Sequence, residues 1–265
     1  MGQLGRETAI WRYMDVARFL QLINREELYF ARLVELDDPW EGSWAHSDPI
    51  FSNDPEYTTK AVQCFNHQAR VSCWHENHDE SVAMWSLYLS GREGVAIKTT
   101  VERLGYLTSA DREVKISRVT YEGNQQVPPD ALHYESGGYV DSRRVLNGER
   151  AIFEKRRGYQ HEREIRAVVY DNFSAEQALA ACHPDNFVNG SRHNTPTNEM
   201  QGGIIIPVDL SRMIDQIVVS PGFPRWALSS LQKAVDAASI PTKVRLSSLL
   251  EQPEIGLRSA YTPQQ

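Results

Sequence analysis

Short β-prone segments recur along this chain, and amphipathic helical segments interrupt them in an irregular order. The predicted strands are residues 10–13, 28–31, 69–74, 95–98, 113–121, 162–170, 203–208, 214–219 and 242–246. The predicted helices are residues 16–25, 80–90, 101–104, 141–157, 175–181 and 224–238. Because strands and helices do not alternate, the pattern predicts an α+β fold with a mixed, mostly antiparallel sheet and flanking helices, and disfavours a doubly wound α/β fold.

Local signals support individual elements of this prediction. Asp15 can cap the helix that begins at residue 16. After Ser81, apolar residues at helical spacing predict a buried stripe, and Gly91 is expected to end that helix. The members of the stripe are Ala83, Met84, Leu87 and Tyr88. The Pro- and Gly-containing stretch 123–140 and the polar stretch 171–201 are predicted loops, and residues 184–201 could contact a target.

The length and composition indicate one globular domain. The chain has 265 residues, of which 41% are hydrophobic and 24% charged, which is ordinary for a folded domain. No linker or repeat divides it. We therefore expect a single domain over 1–265, with a core over about 10–220, a C-terminal helix and strand in 221–250 and a flexible tail from 251 to 265.

Charge and cysteine content restrict the environment and the partners. The net charge of -7 argues against non-specific coating of nucleic acid, which needs an excess of cations. A local basic group is either a nucleic-acid contact or a solvated helix face. Its members are Arg143, Arg144, Arg150, Lys155, Arg156 and Arg157. The 3 cysteines form no disulfide pattern, and no apolar leader or membrane span is evident, so we predict a cytoplasmic protein.

The run Glu162-x-Glu164-x-Arg166 is the strongest candidate for chemistry. Side chains at alternate positions of a strand share one face, so two carboxylates and a guanidinium are expected side by side. Such a pair can act as acid, base or cation stabiliser. The alternative is an exposed face with a diagonal ion pair of little energetic value.

A second candidate lies on the first predicted strand. Arg12 is flanked by Trp11 and Tyr13, and an arginine in this setting can hold a phosphate or carboxylate through two hydrogen bonds. The alternative is an arginine that extends from a sheet edge into solvent. Trp74 and Tyr88 could stack on a planar ring, while Cys73 is expected to be an inert buried thiol.

No metal site is predicted. Residues 37–42 contain three acids, but their spacing matches no calcium loop, and the turn itself is the simpler interpretation. The histidines lack a partner pair with metal-ligand spacing. The chain also has no phosphate-binding loop, no Gly-rich dinucleotide motif and no nucleophile elbow.

Several short motifs follow one another along the chain. They are WRYMD at 11–15, LYFAR at 28–32, DDPWEG at 37–42, VSCW at 71–74, ESVAMWSLY at 80–88, GVAIK at 94–98 and HEREIR at 161–166. Read in this order, they resemble a widespread bacterial family of domains of unknown function, described as abortive-infection-like. The resemblance covers about residues 10–170 and extends more weakly to about 220.

The chain order is also similar, more distantly, to the ADP-ribosyltransferase fold, which implies NAD as co-substrate. By that resemblance Arg12 contacts the ribose and phosphates, Ser72 supports the ribose, and Tyr88 or Trp74 stacks on nicotinamide. Glu164 stabilises the sugar cation as nicotinamide leaves, and Glu162 orients or deprotonates the acceptor. The other implied NAD contacts are Tyr13 and Arg166.

The resemblance implies an ADP-ribosyltransferase-like enzyme that modifies a protein or nucleic acid, as a bacterial toxin or phage-defence effector with an antitoxin or defence-system partner. Two alternatives stay open. One is a non-catalytic module that senses a ligand or partner. The other is a metal-dependent nuclease or phosphodiesterase built from Asp38, Glu41, Glu162 and Glu164.

Overall fold

The structure is a computed structural model that describes residues 4–36, 38, 40–42, 66, 68–89, 91, 93–107, 113–121, 131–135, 138–143, 151–170 and 202–250. The strands are β1 Ala9–Asp15, β2 Glu27–Arg32, β3 Ala69–Glu76, β4 Gly94–Thr100, β5 Val114–Arg118, β6 Thr120–Tyr121, β7 Ala131–Glu135, β8 Gly138–Arg143, β9 Glu154–Lys155, β10 Glu164–Tyr170, β11 Ile204–Pro207, β12 Gln216–Val219 and β13 Val244–Leu246. The helices are α1 Val16–Arg25, α2 Val82–Tyr88, α3 Val101–Gly105, α4 Leu210–Met213 and α5 Leu228–Ala237.

Most of the strands form one extended sheet. The order along its main path is β13-β12-β4-β1-β3-β10-β5-β7-β8, and β2 joins β3 and carries β11 on its other side. Pairing is antiparallel except between β12 and β13, and β6 and β9 form a separate parallel pair. The predicted α+β class with a mixed, mostly antiparallel sheet is confirmed.

Strand β3 divides one of its edges between two partners. Strand β10 pairs with β3 from Ala69 to His75 along one edge. On the other edge, β1 pairs with β3 at His75 and Glu76, whereas β2 pairs at Arg70 and Val71. The stretch between them, residues 72–74, pairs with neither β1 nor β2. We call this opening between β1 and β2 the fork.

Helices α1 and α5 contribute to the core on one face of the sheet. Asp15 caps α1 as predicted, since its carboxylate accepts from the amide of Arg18 at 2.7 Å. The helix buries Phe19, Leu22 and Ile23. These side chains share a cluster with strand residues and with α5. Further members of that cluster are Ile10, Ile97, Trp74, Ile165, Ala167, Leu231 and Val235.

Helix α2 packs on Trp11 and Tyr13 of β1. Met84 and Trp85 are its buried residues. The predicted stripe is therefore wrong in large part, because Ala83, Leu87 and Tyr88 are exposed and only Met84 of its four members is buried. Ser81 caps the helix, and the chain is already extended at Leu89, before the predicted end at Gly91.

Two sequence predictions between β6 and β10 are wrong. Residues 131–135 and 138–143 form the antiparallel pair β7–β8 within the predicted loop and helix. Within the predicted helix over 141–157, residues 151–153 form a 3-10 turn and 154–155 a short strand. Long-range pairing to β5 overrides the local glycine and proline signals. The predicted helix 175–181, residues 184–201 and the tail 251–265 lie outside the described residues.

Candidate functional site

Arg12 extends from β1 into the fork. Its guanidinium donates to the Ser72 hydroxyl on β3 and to the Tyr29 carbonyl on β2 at 3.4 Å. It also lies 5.6 Å from the centre of the Trp74 ring. Burial lowers the pKa of Arg12. No carboxylate among the described residues forms an ion pair with this half-buried guanidinium, so the cation is available for an anionic ligand.

Ser72 and Trp74 hold Arg12 in place. The Ser72 hydroxyl accepts from Arg12 and from the Trp74 indole nitrogen at 3.0 Å. Both side chains are almost completely buried, with 1% and 2% of their surface exposed. A ring buried to that extent has no free face, so Trp74 is not suited to stacking on a ligand. These contacts support a role in positioning Arg12 for both residues.

Arg166 lies at the centre of a buried group of charges on β10. It donates to both oxygens of Glu164, at 2.6 and 3.1 Å, and to the carbonyl of Ile152 at 2.6 Å. It also binds Glu41 at 2.8–2.9 Å. Because the Arg166 donors are directed at protein acceptors, Arg166 orients the carboxylates around it, and its contact with NAD stays a prediction.

Lys155 joins the same group from β9. Its ammonium lies 2.6 Å from Glu162, 3.2 Å from Glu41 and 3.3 Å from Glu164. With Arg166 these residues form what we call the acid cluster, which contains three carboxylates and two cations. Its net charge of one negative unit favours a positive charge on a neighbouring group.

The two glutamates of the sequence motif differ in their ionisation. Burial raises the pKa of Glu164, but Arg166 and Lys155 outweigh it and lower that pKa to about 2. Burial also raises the pKa of Glu162, and Glu164 adds to the increase, while Lys155 opposes it. Glu164 is thus a fixed carboxylate, and Glu162 is the more readily protonated of the two. This contrast suits one charge stabiliser and one proton acceptor.

Tyr88 and Cys73 interact electrostatically with Arg12 and with Glu164. Burial raises the pKa of the Cys73 thiol, and the charge of Glu164 raises it further. Burial raises the pKa of Tyr88, and interactions with Cys73, Glu162 and Glu164 raise it further. Tyr88 also interacts electrostatically with Arg12. With 45% of its surface exposed, the Tyr88 ring on the last turn of α2 is accessible to a ligand that contacts both charged regions.

The strand register distributes the predicted site residues over both faces of the sheet. Glu164 lies opposite His75, and Arg166 lies opposite Cys73. Ser72 and Trp74 alternate with Cys73 and His75 along β3, so their side chains lie on the other face of the sheet. The register of β1 on β3 places the Arg12 side chain on that same face.

Tyr13 supports helix α2. Its hydroxyl accepts from the amide of Ser81 at 2.9 Å, and its ring packs edge-on against Trp85 at 4.8 Å between ring centres. Burial raises its pKa to about 12. Only 5% of its surface is exposed. Tyr13 thus positions the helix that carries Tyr88, and its contact with NAD stays a prediction.

The acids of the turn at 38–42 are held by cations. Arg156 binds the Asp38 carboxylate through two nitrogens, at 2.5 and 3.1 Å, and Glu41 belongs to the acid cluster. Within the described part of the chain, no group of three or more His, Cys, Asp and Glu residues is arranged to hold a metal ion. None of the described helices has both the length and the apolar surface needed to cross a bilayer.

Sequence reasoning missed Lys155 as a member of the acid cluster, and it grouped Glu41 with Glu162 and Glu164 only in the metal-dependent alternative. It places Lys155 in a basic run on a helix face, and Glu41 in a turn or a metal site. The signal for Lys155 is its position in that basic run, but only long-range packing shows that it faces carboxylates. Tyr121 is also missed as a site residue. Its hydroxyl accepts from the amide of Glu164 at 2.8 Å and so fixes the start of β10.

Neither a protein-family model nor a curated protein sequence matches this chain. The resemblance to the abortive-infection-like family therefore stays a prediction. Among solved structures, DarT of Thermus sp. 2.9 in complex with NAD+ is similar over 92% of this chain and 97% of that chain. The sequence identity is 10% and the TM-score is 0.37, and so distant a likeness carries no argument about this site.

Proposed function

We propose that this protein is an ADP-ribosyltransferase-like enzyme that uses NAD as co-substrate. The observation that carries the proposal is a charge arrangement. The half-buried guanidinium of Arg12 has no carboxylate partner among the described residues, and the acid cluster carries one net negative charge. NAD has matching parts, namely a negative diphosphate and a positive nicotinamide ring.

Arg12 is suited to the diphosphate. A guanidinium offers several donors in one plane and binds phosphate oxygens in pairs. Ser72 and Trp74 hold it from one side, so little side-chain freedom is lost on binding. Tyr88 supplies an exposed ring for the nicotinamide, between Arg12 and the carboxylates.

The acid cluster is suited to the sugar. NAD supplies a ribose whose bond to nicotinamide breaks with the electron pair leaving on the nicotinamide nitrogen. Glu164, fixed by Arg166 and ionised at neutral pH, stabilises the positive charge that develops on that ribose. Glu162 takes the proton of the acceptor nucleophile as the nucleophile bonds to the same ribose carbon.

The acceptor is a protein or nucleic-acid group, and the biological role is that of a bacterial toxin or phage-defence effector acting in the cytoplasm. These finer parts rest on the sequence resemblance. Residues of the acid cluster and the fork are the same whichever acceptor is used, so the NAD step can be tested first.

The first experiment is calorimetric titration of NAD into the wild-type chain and Glu164→Gln, followed by assay of nicotinamide release. We expect both to bind NAD, and release to be lower by roughly 100-fold or more in the variant, because one fixed charge is lost from the transition state. The matched control is Glu80→Gln, which alters a carboxylate bonded to Trp85 outside the cluster. Failure of the wild type to bind near-millimolar NAD contradicts the proposal.

A further inference from the structure

Lys155 is the cation that contacts both glutamates of the 162–164 motif. Its ammonium approaches Glu162 at 2.6 Å and Glu164 at 3.3 Å, and only 9% of its side chain is exposed. Glu41 binds it from a third direction at 3.2 Å. The ring of Tyr159 lies 4.6 Å from the same ammonium. These contacts restrict the Lys155 ammonium to one position, beside the two glutamates.

The neighbouring residue strengthens this placement. Arg156 binds Asp38 through two hydrogen bonds and lies 5.9 Å from the Trp40 ring and 5.5 Å from the Tyr159 ring. Two consecutive cations therefore hold two acids of the same turn, Lys155 through Glu41 and Arg156 through Asp38. Since Glu41 also binds Arg166 of β10, the turn connects the short strand β9 to the strand that carries Glu164.

We propose that Lys155 is a positioning residue that holds the Glu162 carboxylate beside Glu164, and that Glu41 anchors Lys155 for this purpose. The catalytic consequence rests on the proposed function, whereas the arrangement of charges does not. Lys155 acts through Glu162 and does not itself contact the co-substrate.

The physical reason is the surroundings of Glu162. Burial favours its protonated form, Lys155 opposes this, and the charge of Glu164 adds to it. Without the lysine, Glu162 loses its nearest cation while the charge of Glu164 remains, so its pKa is expected to rise further above the ordinary value of a glutamate. The charged or titratable groups that interact with Glu162 are Lys155, Glu164, His161, Tyr88 and Tyr121.

The test compares Lys155→Met with Lys155→Arg. The carboxyl carbons of Glu162 and Glu164 are followed by NMR as pH is varied, in the full chain without NAD. In Lys155→Met we expect the Glu162 midpoint to rise by about one pH unit or more relative to wild type. In Lys155→Arg, which retains the cation, the Glu162 midpoint should remain near that of the wild type. An unchanged Glu162 midpoint in a folded Lys155→Met overturns the proposal.

Activity provides the second readout. Nicotinamide release by Lys155→Met should fall about tenfold or more in kcat at neutral pH, with a much smaller change in KM, and should recover partly at higher pH as Glu162 ionises. Lys155→Arg should restore most of the rate. If the pH profile of nicotinamide release by Lys155→Met is identical to that of the wild type, Lys155 does not position Glu162.

A third measurement tests the proposal even if Lys155→Met does not fold. In the wild type, Glu162 must be ionised at neutral pH, so a Glu162 midpoint at or above pH 7 overturns the proposal without any substitution. If the wild-type protein neither binds NAD nor releases nicotinamide, the proposed enzymatic function is wrong. The carboxyl titration would still decide whether Lys155 sets the state of Glu162, so the two failures are distinguishable.

Discussion

Glu164 and Arg166, two positions apart on strand β10, are joined by two hydrogen bonds of 2.6 and 3.1 Å within the sheet interior. Alternate residues of a strand share a face, so the strand itself brings the carboxylate and the guanidinium together. The arginine has no exposed surface. A fully buried guanidinium is stable only while the carboxylates that bind it remain.

Arg166→Met should therefore destabilise the fold. Removing the guanidinium leaves Glu164 and Glu41 buried with Lys155 as their remaining cation, and breaking a buried ion pair costs roughly 3–5 kcal/mol. Unfolding in urea measures the loss. The control is Arg103→Gln, because Arg103 and Asp215 form a half-exposed pair at 3.3 Å, which should contribute less than about 1 kcal/mol. Equal losses in both variants would contradict the structural role of the cluster.

The folded state should lose stability in acid through Glu164. Its folded-state pKa of about 2 lies below its value in the unfolded chain, so the ionised form stabilises folding at neutral pH. That contribution is fully present above about pH 5 and is lost as pH falls toward 2. It amounts to roughly 3 kcal/mol, since each pKa unit corresponds to about 1.4 kcal/mol.

The measurement is the free energy of unfolding against pH in wild type and Glu164→Gln. The glutamine cannot ionise, so the variant should be less stable at pH 7 and should lose less stability between pH 5 and pH 3. Parallel curves for the two proteins would show that Glu164 does not titrate at the low pKa given by its ion pairs.

Arg12→Met should weaken the binding of ADP-ribose by about tenfold or more, because a charge-assisted contact with phosphate contributes roughly 1.5–3 kcal/mol. Arg12→Lys should recover only part of the affinity, since an ammonium cannot donate two parallel hydrogen bonds. Calorimetric titration gives the dissociation constants. Arg25→Gln, which alters an exposed arginine in the last turn of α1, is the control and should leave them unchanged. If Arg12→Met binds ADP-ribose as tightly as the wild type, the guanidinium does not contact the ligand.

Tyr88→Ala should weaken NAD binding by about three- to tenfold through the loss of ring stacking, worth roughly 0.5–1.5 kcal/mol. Tyr88 is 45% exposed and Leu87, beside it on α2, is 55% exposed. Leu87→Ala is thus a control for general damage to the helix. The thermal midpoints of the two variants should be similar, while only Tyr88→Ala should change the dissociation constant. A matching loss of affinity in Leu87→Ala would contradict stacking by Tyr88.

Periodicity predicted most of the described strands and helices around the site. The segments at Asp15, Ser81 and Glu164 carry strong local signals, which are two helix caps and a run of apolar residues in a strand. The pair β7–β8 was not predicted, because its stability depends on pairing with β5 and its local sequence is rich in glycine and turn residues. Local propensity cannot report such long-range pairing.

The charged motif was found from spacing, but its surroundings were not. Glu162 lies in a 3-10 turn before β10, and Arg163 between the two glutamates has a positive φ of 41°, so the two glutamates do not follow simple strand alternation. Lys155 and Glu41 are distant in sequence from each other and from most of the residues they bind. Their convergence depends on tertiary packing, which a single sequence does not specify through periodicity.

The two sides of the fork are attached to the sheet in different ways. Arg12 lies on a strand whose register is fixed by seven consecutive pairs with β4, whereas the opposite wall of the opening is the ribbon of β2 and β11, attached to β3 by the pairs at Ala31 and Arg32. Substitutions or changes of length in that ribbon can reshape the wall without changing the register of the strand that carries Arg12, as long as the Tyr29 carbonyl keeps its contact with the guanidinium. The selectivity of the opening can thus change while Arg12, the proposed ligand-binding residue, keeps its place on β1.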